Sequence, residues 1–360
     1  MALKAKGMTL PNPLVGALVV KNSRIVGKGY HKCAGAPHAE VEAIDKAGKL
    51  ARGADLYVTL EPCCHFGRTP PCTDEIIEAG IKKVFVGMID PNPLNNGKGI
   101  SMLKEHGIKA EVGFLEDKLN KINESFIKYI TKKLPFVTVK VGQSLDGKIA
   151  TKTGDSHWVT SDKSRERAHK LRNDYDAIMV GVNTILRDNP YLNSSNHKKP
   201  ITRIIIDSHL STPASANVFS RKGEVIIATI KVPAGQQTEN RDLLSQKAKI
   251  LDIKDHNGQL NLHDLFKKLA RLEISNILVE GGGSLIGSLF DAGFVDKVLF
   301  FIAPKIIGGK DAISSVMGKG ISLMDKAVKL KDIKIEKIGE DILVEGYVKK
   351  TQIGTDARVK

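Results

Sequence analysis

His38-Ala39-Glu40, followed by Thr59-Leu60-Glu61-Pro62-Cys63-Cys64-His65-Phe66-Gly67-Arg68-Thr69-Pro70-Pro71-Cys72, is the stretch on which the fold turns. The imidazole of His38 and the thiols of Cys63 and Cys72 make three ligands of the kind zinc takes in tetrahedral sites. Three protein ligands leave the fourth position to water, as a catalytic rather than a structural zinc requires. Glu40, two residues after the histidine, reaches that position from the first helical turn without joining the ligand set. That is the place of a proton shuttle. The competing reading of the same residues is a cysteine-rich zinc knuckle or a group of plain buried thiols.

His-x-Glu followed by Pro-Cys and a second cysteine is the signature of zinc deaminases. In them a metal-activated water attacks an amidine-type ring carbon while the glutamate carries protons to the departing ammonia. Members that edit nucleic acids place two residues between the cysteines, whereas eight separate Cys63 from Cys72. The insert forms a loop beside the metal, and His65, Arg68 and Thr69 in it suit a hydroxylated, phosphorylated small molecule. Cys64 competes with Cys63 for metal only against the rigid Pro62-Cys63 geometry. Cys33 reads as a bystander.

The 360 residues suffice for two domains of ordinary size, each with its own core. Hydrophobic content of 41% and charged content of 26% describe a soluble globular protein. No apolar run approaches the roughly 18 residues that span a bilayer, and Met1–Gly7 is too poor in apolar residues for a signal peptide. All four cysteines lie between Cys33 and Cys72, two of them assigned to metal, so no disulfide framework is expected and the cytoplasm is the expected compartment. The net charge of +15 raises nucleic acid as a partner. Residues 1–134 hold 20 Lys+Arg against 14 Asp+Glu, and residues 135–360 hold 35 against 26, so the excess is spread rather than gathered into an arm. Aromatic residues make up 5%, without the basic-aromatic interleaving that stacks bases. Solvated lysines and attraction of anionic small molecules account for the charge, and neither nucleic acid nor membrane is an expected partner.

Periodicity predicts a hairpin of strands Leu14–Val20 and Ile25–Tyr30, a helix from Ala39 to about Lys49, a strand Asp55–Leu60 and a helix that Cys72 begins. Two helix starts thus converge on one cation, where backbone N–H groups favour thiolate and bound anion. A strand Lys83–Met88, a helix near Gly99–His106, a strand Lys109–Gly113 and one long helix from about Asp117 to Ile130 complete a three-layer α/β domain, 1–134. Leu134-Pro135 marks the boundary. The second domain, 135–360, opens on a strand Phe136–Val141. A polar loop leads to Trp158, then come a helix Ser161–Arg172, strands at Ala177–Val180, Thr202–Asp207 and Glu224–Thr229, and a helix near Leu262–Leu272. Asn193–Pro200 and Val232–Asn240 read as polar connections. Strands Asn276–Val279, Lys297–Ile302, Lys334–Ile338 and Ile342–Val348 follow. Glu280-Gly281-Gly282-Gly283 at a strand-to-helix junction has two readings, a phosphate cradle or a turn that lets helix pack on strand. It is not a Rossmann fingerprint, because the third glycine of that pattern would fall at Ile286.

With these residues in view, the chain resembles the bifunctional riboflavin-biosynthesis deaminase/reductase family over almost its whole length. The resemblance rests on Pro11-Asn12-Pro13-Leu14-Val15-Gly16, the His38 and Glu61–Cys72 motifs, and Asp90-Pro91-Asn92-Pro93. It continues through Ser144-Leu145-Asp146-Gly147-Lys148, Trp158-Val159-Thr160-Ser161, Val279-Glu280-Gly281-Gly282 and Ala303-Pro304-Lys305. It implies a cytidine-deaminase-like domain followed by a dihydrofolate-reductase-like one. The first would hydrolyse the 2-amino group of a diaminopyrimidinone ribosylamine phosphate, and the second would reduce its ribosyl chain to ribityl with NADPH. By resemblance one Zn²⁺ per chain binds His38, Cys63 and Cys72, Glu40 is the proton donor, and Asn12, His31, His65 and Arg68 contact the pyrimidine and ribose phosphate.

In the second domain the resemblance places NADPH at Gly142, Trp158, Thr184, Asp188, Ser208 and the loop Gly282, Gly283, Ser284, Leu285, Ile286, Gly287 and Ser288. Substrate is placed at Ser156, Arg172, Leu192 and Glu280, with Lys140 close by. On sequence alone Trp158 reads equally as core and Asp188 as a turn residue, and no residue identifies the proton donor of the reduction. The family usually carries a phosphate-holding arginine three residues after Leu192, where this chain has Ser195. Lys198 and Lys199 are the nearest cations, without a guanidinium's planar fork. Homo-oligomerisation is compatible with the sequence. Two rivals stand beside this reading: a nucleic-acid base deaminase with an RNA-binding second half, and a deaminase whose reductase-like half is an inactive binding module.

Overall fold

The computed structural model describes residues 1–67, 70–195, 200–231 and 239–349 of the chain. Arg68, Thr69, Lys198, Lys199 and most of the expected Val232–Asn240 connection lie outside those residues. Two compact units emerge: Met1–Pro135 with Leu269–Ser275, and Phe136–Lys268 with Asn276–Lys360. Among the described residues no helix is long and apolar enough to cross a membrane.

The first unit runs β1 (Gly16–Lys21), β2 (Arg24–Tyr30), α1 (Ala39–Ala47), β3 (Asp55–Leu60), α2 (Cys72–Glu78), β4 (Lys83–Met88), α3 (Lys98–Glu105), β5 (Lys109–Val112), α4 (Glu116–Ile122) and α5 (Glu124–Lys132). Its sheet has the order β2-β1-β3-β4-β5. β1 is antiparallel to both neighbours, and β3, β4 and β5 run parallel. Alternation sets the strand faces: in β3, Leu56, Val58 and Leu60 are buried, and Asp55, Tyr57 and Thr59 half-buried. Each such aliphatic side chain is worth about 1.5–3 kcal/mol when fully removed from water. β1 and β2 carry α1 unusually close, because a Cβ on Gly27 or Gly29 would collide with the carbonyl oxygens of Ala43 and Ala39. Two glycines therefore seat the helix that carries His38 and Glu40.

The hairpin, β3 and β4 stand where the sequence pattern puts them. The long helix expected over Asp117–Ile130 does not form: it breaks at Asn123 into α4 and α5. Asn123 is buried, and its side chain accepts from the Leu14 amide (2.8 Å) and donates to the Leu14 carbonyl (3.2 Å). A side chain that hydrogen-bonds a remote backbone offers the chain an alternative to uninterrupted helix.

The second unit continues with β6 (Phe136–Ser144), β7 (Lys148–Ala150), α6 (Asp162–Leu171), β8 (Ala177–Gly181), α7 (Val182–Asp188), β9 (Thr202–Ile206), β10 (Val225–Ile230), α8 (Glu239–Ser245) and β11 (Lys249–Ile253). After β12 (Asp255–His256), β13 (Gln259–Leu260) and α9 (Leu262–Arg271) come β14 (Asn276–Val279), α10 (Gly283–Asp291), β15 (Lys297–Ala303), β16 (Ile313–Ser314), β17 (Leu330–Ile338) and β18 (Asp341–Val348). The main sheet has the order β11-β10-β9-β8-β14-β6-β15-β18-β17. It is parallel from β11 to β15 and closes with the antiparallel β18 and β17. α7, α8, β7, β11, β12, β13 and β16 are absent from the sequence-based expectation. The carboxyl ends of β8, β14 and β6 lie side by side at the centre of this sheet, the position at which open α/β sheets bind ligands.

Candidate functional site

In the first unit His38 is the residue before α1 and Cys72 the first residue of α2, so two helix starts do meet at one point. Cys63 arrives from the carboxyl end of β3. His38 Nδ1 lies 3.0 Å from Cys72 Sγ and 3.5 Å from Cys63 Sγ, and the three ligand atoms all lie within 4.8 Å of one another. The Cys72 backbone amide donates to Cys63 Sγ at 3.3 Å. A hydrogen bond from the Cys72 thiol, working against burial, draws Cys63 down to about 4. The same bond holds Cys72 well above the usual thiol range, and His38 is raised chiefly by its bond to Cys63. Glu40 is 3% exposed, and its Oε2 is buried with no hydrogen-bond partner. Burial, only partly offset by His38, pushes Glu40 up to about 7. Two soft sulfurs and an imidazole nitrogen are a donor set that zinc fits, and the unsatisfied Glu40 oxygen beside them is left for a metal-bound water.

The ligands floor a cavity of 340 Å³ lined by Asn12, His31, His38, Glu40, Cys63 and His65. Asn12 Nδ2 donates to His31 Nε2 at 3.2 Å, which leaves His31 Nδ1 to donate to the Pro37 carbonyl at 3.3 Å. Burial lowers the His31 pKa, in keeping with this neutral tautomer. Of the residues expected to meet the pyrimidine, Asn12, His31 and His65 thus come together, and Arg68 falls outside the described residues. The sequence reading missed Phe126, Tyr129 and Ile130, which line the cavity from α5. Their helical spacing marks an apolar face but not what that face covers.

In the second unit Lys140, Gly142, Ser156, Trp158, Thr184, Asp188, Glu280, Gly282, Gly283 and Ser284 line one cleft of 490 Å³. A second hollow of 270 Å³ is lined by Thr184, Ser208, Gly282, Ser284, Leu285 and Ser288, so Thr184, Gly282 and Ser284 border both. Trp158 is 59% exposed rather than core. The Arg165 guanidinium lies 4.3 Å from its ring centre, a cation–π contact that fixes the indole. Glu280 is the charged centre: Arg172 donates to it through Nε (3.0 Å) and Nη2 (2.8 Å), and Lys140 Nζ lies 3.6 Å away. Burial alone would raise this carboxyl, but Lys140 and Arg172 outweigh it and hold Glu280 at about 2.

The segment Gly282–Ser288, expected as a loop, is the start of α10. A Cβ on Gly282 meets nothing, whereas one on Gly283 or Gly287 would strike the carbonyl oxygens of Ser314 or Met317. The glycine run therefore serves both readings: Gly282 opens on the cleft, and Gly283 and Gly287 pack backbone on backbone. Ile286 and Gly287 are buried away from both hollows. Leu192 lies in the core with Ile178 and Ile205, and Arg172 is turned to Glu280. Ser195 shares hydrogen bonds with Asn173. Arg165, Asn183 and Arg187, also on the cleft wall, were not singled out from sequence. They lie on short, polar segments whose pattern carries no pocket signal.

A bare-glycine opening at a helix start, beside a cleft at the carboxyl ends of parallel strands, suits a dinucleotide phosphate. The two sites thus fit a hydrolytic deaminase and a reductase in one chain. Residues 1–88 match the cytidine and deoxycytidylate deaminase zinc-binding region, and residues 135–344 match the RibD C-terminal domain. The chain is 46% identical to the riboflavin biosynthesis protein RibD of Aquifex aeolicus, over 96% of this chain and 94% of that one. Acinetobacter baumannii RibD superposes with a TM-score of 0.87 at 32% identity, covering 97% of this chain and 96% of that one. A Thermotoga maritima diaminohydroxyphosphoribosylaminopyrimidine deaminase/5-amino-6-(5-phosphoribosylamino)uracil reductase superposes at 0.84 with 37% identity, covering 96% and 95%. The chain belongs to the RibD family, the bifunctional deaminases/reductases of riboflavin biosynthesis. Its fold is the expected pairing of a cytidine-deaminase-like domain with a dihydrofolate-reductase-like one.

Proposed function

We propose that residues 1–134 deaminate 2,5-diamino-6-(5-phosphoribosylamino)pyrimidin-4(3H)-one and that residues 135–360 reduce the ribosyl chain of the product with NADPH. The observation that carries the first half is the buried, unpartnered Oε2 of Glu40 beside three converging ligand atoms. His38, Cys63 and Cys72 would hold one zinc ion, which supplies an activated water at neutral pH. Glu40 takes the proton from the attacking water and delivers it to the departing nitrogen. Asn12, His31 and His65 bind the ring and its ribose phosphate, with Arg68 from the same loop. A cavity of 340 Å³ roofed by Phe126, Tyr129 and Ile130 suits one nucleotide-sized ligand rather than a polymer.

In the second half Gly142, Trp158, Thr184, Asp188, Ser208 and the amide-bearing start of α10 at Gly282–Ser284 would hold NADPH, which would supply hydride. Glu280, fixed by Arg172, holds the Lys140 ammonium at the cleft wall as a fixed positive charge facing substrate, with Ser156 beside it. Arg187, on the same wall, adds a second cation toward a phosphate. The cytoplasm, where pyridine nucleotide and reduced thiols are supplied, is the compartment this chemistry needs. Ammonia release from the phosphorylated diaminopyrimidine, with the dephosphorylated compound as control, tests the reading. Release from the phosphorylated form alone is expected, and equal rates on cytosine in single-stranded RNA would contradict it.

A further inference from the structure

The Cys63-Cys64 pair offers two adjacent thiols to one metal position, and proline before Cys63 does not by itself decide which thiol turns inward. The loop after β4 decides it. Asn95, 0% exposed, lies within the turn Asn92–Lys98, its own backbone held by bonds from its amide to Asn92 O (2.9 Å) and from the Lys98 amide to its carbonyl (2.6 Å). Its side-chain amide lies along three consecutive peptide units of the ligand segment. Nδ2 donates to the carbonyls of Pro62 (3.3 Å) and Glu61 (3.5 Å), and Oδ1 accepts from the Cys64 amide (3.1 Å). The third Nδ2 contact, with Asp90 Oδ2 at 3.3 Å, fixes the sense of the amide, since a flipped group would set oxygen against carboxylate and carbonyls.

On the other side, the Cys63 carbonyl accepts from Thr73, from the backbone amide at 3.2 Å and from Oγ1 at 3.3 Å. The Cys63–Cys64 peptide plane is thus gripped at its carbonyl by the residue after Cys72 and at its N–H by Asn95. With this plane fixed, Cys63 Sγ lies 3.5 Å from His38 Nδ1, and the cluster of ligand atoms is His38, Cys63 and Cys72, without Cys64. The Glu61 carboxylate steadies the same segment by accepting from the amides of Asp90 (3.1 Å), Gly97 (2.9 Å) and Ile100 (3.3 Å). Gly99 permits the close approach, because a Cβ there would strike the Pro62 carbonyl oxygen.

We infer that Asn95 is a positioning residue that selects Cys63 over Cys64 as the metal ligand by fixing the peptide plane between them. The inference rests on His38, Cys63 and Cys72 being the ligand set. Without Asn95 the plane is free to turn, and Cys64 becomes an alternative donor.

Cobalt(II) bound to the full-length chain reads this directly, since thiolate-to-cobalt charge-transfer absorbance rises with the number of thiolates bound. Wild type shows two-thiolate intensity, and Cys63→Ser falls to about half of it, because Asn95 keeps Cys64 out of a three-ligand site. Asn95→Ala/Cys63→Ser recovers most of the lost intensity as Cys64 swings in, and adding Cys64→Ser removes it again. Where the Asn95→Ala background does not fold, Asn95→Ser serves instead, its hydroxyl satisfying one carbonyl without spanning to the Cys64 amide. Two-thiolate intensity in Cys63→Ser alone, or no recovery in the folded double variant, overturns the role of Asn95. Absence of thiolate absorbance in wild type overturns the ligand assignment itself, and the two failures are distinct.

Discussion

Glu40 and Glu280 are both carboxylates withdrawn from water, and the two units treat them in opposite ways. Glu40 has one oxygen without any partner and is pushed up to about 7, whereas Glu280 is clasped by Arg172 and Lys140 and held at about 2. A divalent cation at His38, Cys63 and Cys72 would draw Glu40 down again. The contrast separates two uses of a buried acid. A buried carboxylate with an unpartnered oxygen is placed to accept and return a proton, and one between two cations is a permanent charge that orients its neighbours. Hydrolysis needs the first; hydride delivery to an anionic substrate is served by the second.

The comparison breaks most visibly at Glu40. Glu40→Gln should lower ammonia release by about 10²- to 10⁴-fold, the usual worth of a positioned acid–base group, with NADPH oxidation unchanged. Zinc content measured on the same sample should stay at the wild-type level, and a fall in zinc would make Glu40 a ligand rather than a shuttle. Glu280→Gln attacks the other side. It leaves the half-buried Arg172 and Lys140 without a counter-charge, and denaturant unfolding should show a loss of about 1–3 kcal/mol in the second unit. Reductase turnover falls with it, and deaminase turnover does not.

The sign of the pH dependence sharpens the same contrast. Glu280 is held below its ordinary value of 4.5, to about 2, so its contribution to stability is complete above about pH 4.5 and is lost as the pH falls toward 2. The acid limb of unfolding over that window should be shallower in Glu280→Gln than in wild type. The smallest effects lie in the glycine run. Gly287→Ala, which drives a methyl onto the Met317 carbonyl, should cost about 1–3 kcal/mol of stability. Gly282→Ala meets open space and should stay within about 0.5 kcal/mol of wild type. It should nonetheless raise the KM for NADPH, and equal melting losses for the two variants would remove the distinction drawn between them.

The two sites were also unequally legible. The candidate metal ligands are legible in sequence because a metal dictates residue type and because two helix starts and a strand end, all marked by local pattern, deliver them. His38, Cys63 and Cys72 needed no knowledge of what the rest of the sheet does. The reductase cleft is assembled from the ends of β6, β8 and β14 and from helices too short to show a period, such as α7. Its charged centre joins Lys140, Arg172 and Glu280, up to 140 residues apart, and only the family resemblance drew them together. Asn123 makes the same point for the fold, since the bond that ends α4 is to Leu14, 109 residues away. Asn95 escaped notice because an asparagine in a turn ordinarily serves the turn.

One preparation of the full-length chain, assayed in parallel for ammonia release and for NADPH oxidation before and after a zinc chelator, tests the central claim of two chemically independent sites. Chelation should abolish ammonia release from the diaminopyrimidine, and NADPH oxidation with the deaminated substrate should continue at its original rate. Ammonia release that survives complete removal of zinc, or NADPH oxidation that falls in step with it, would contradict the account.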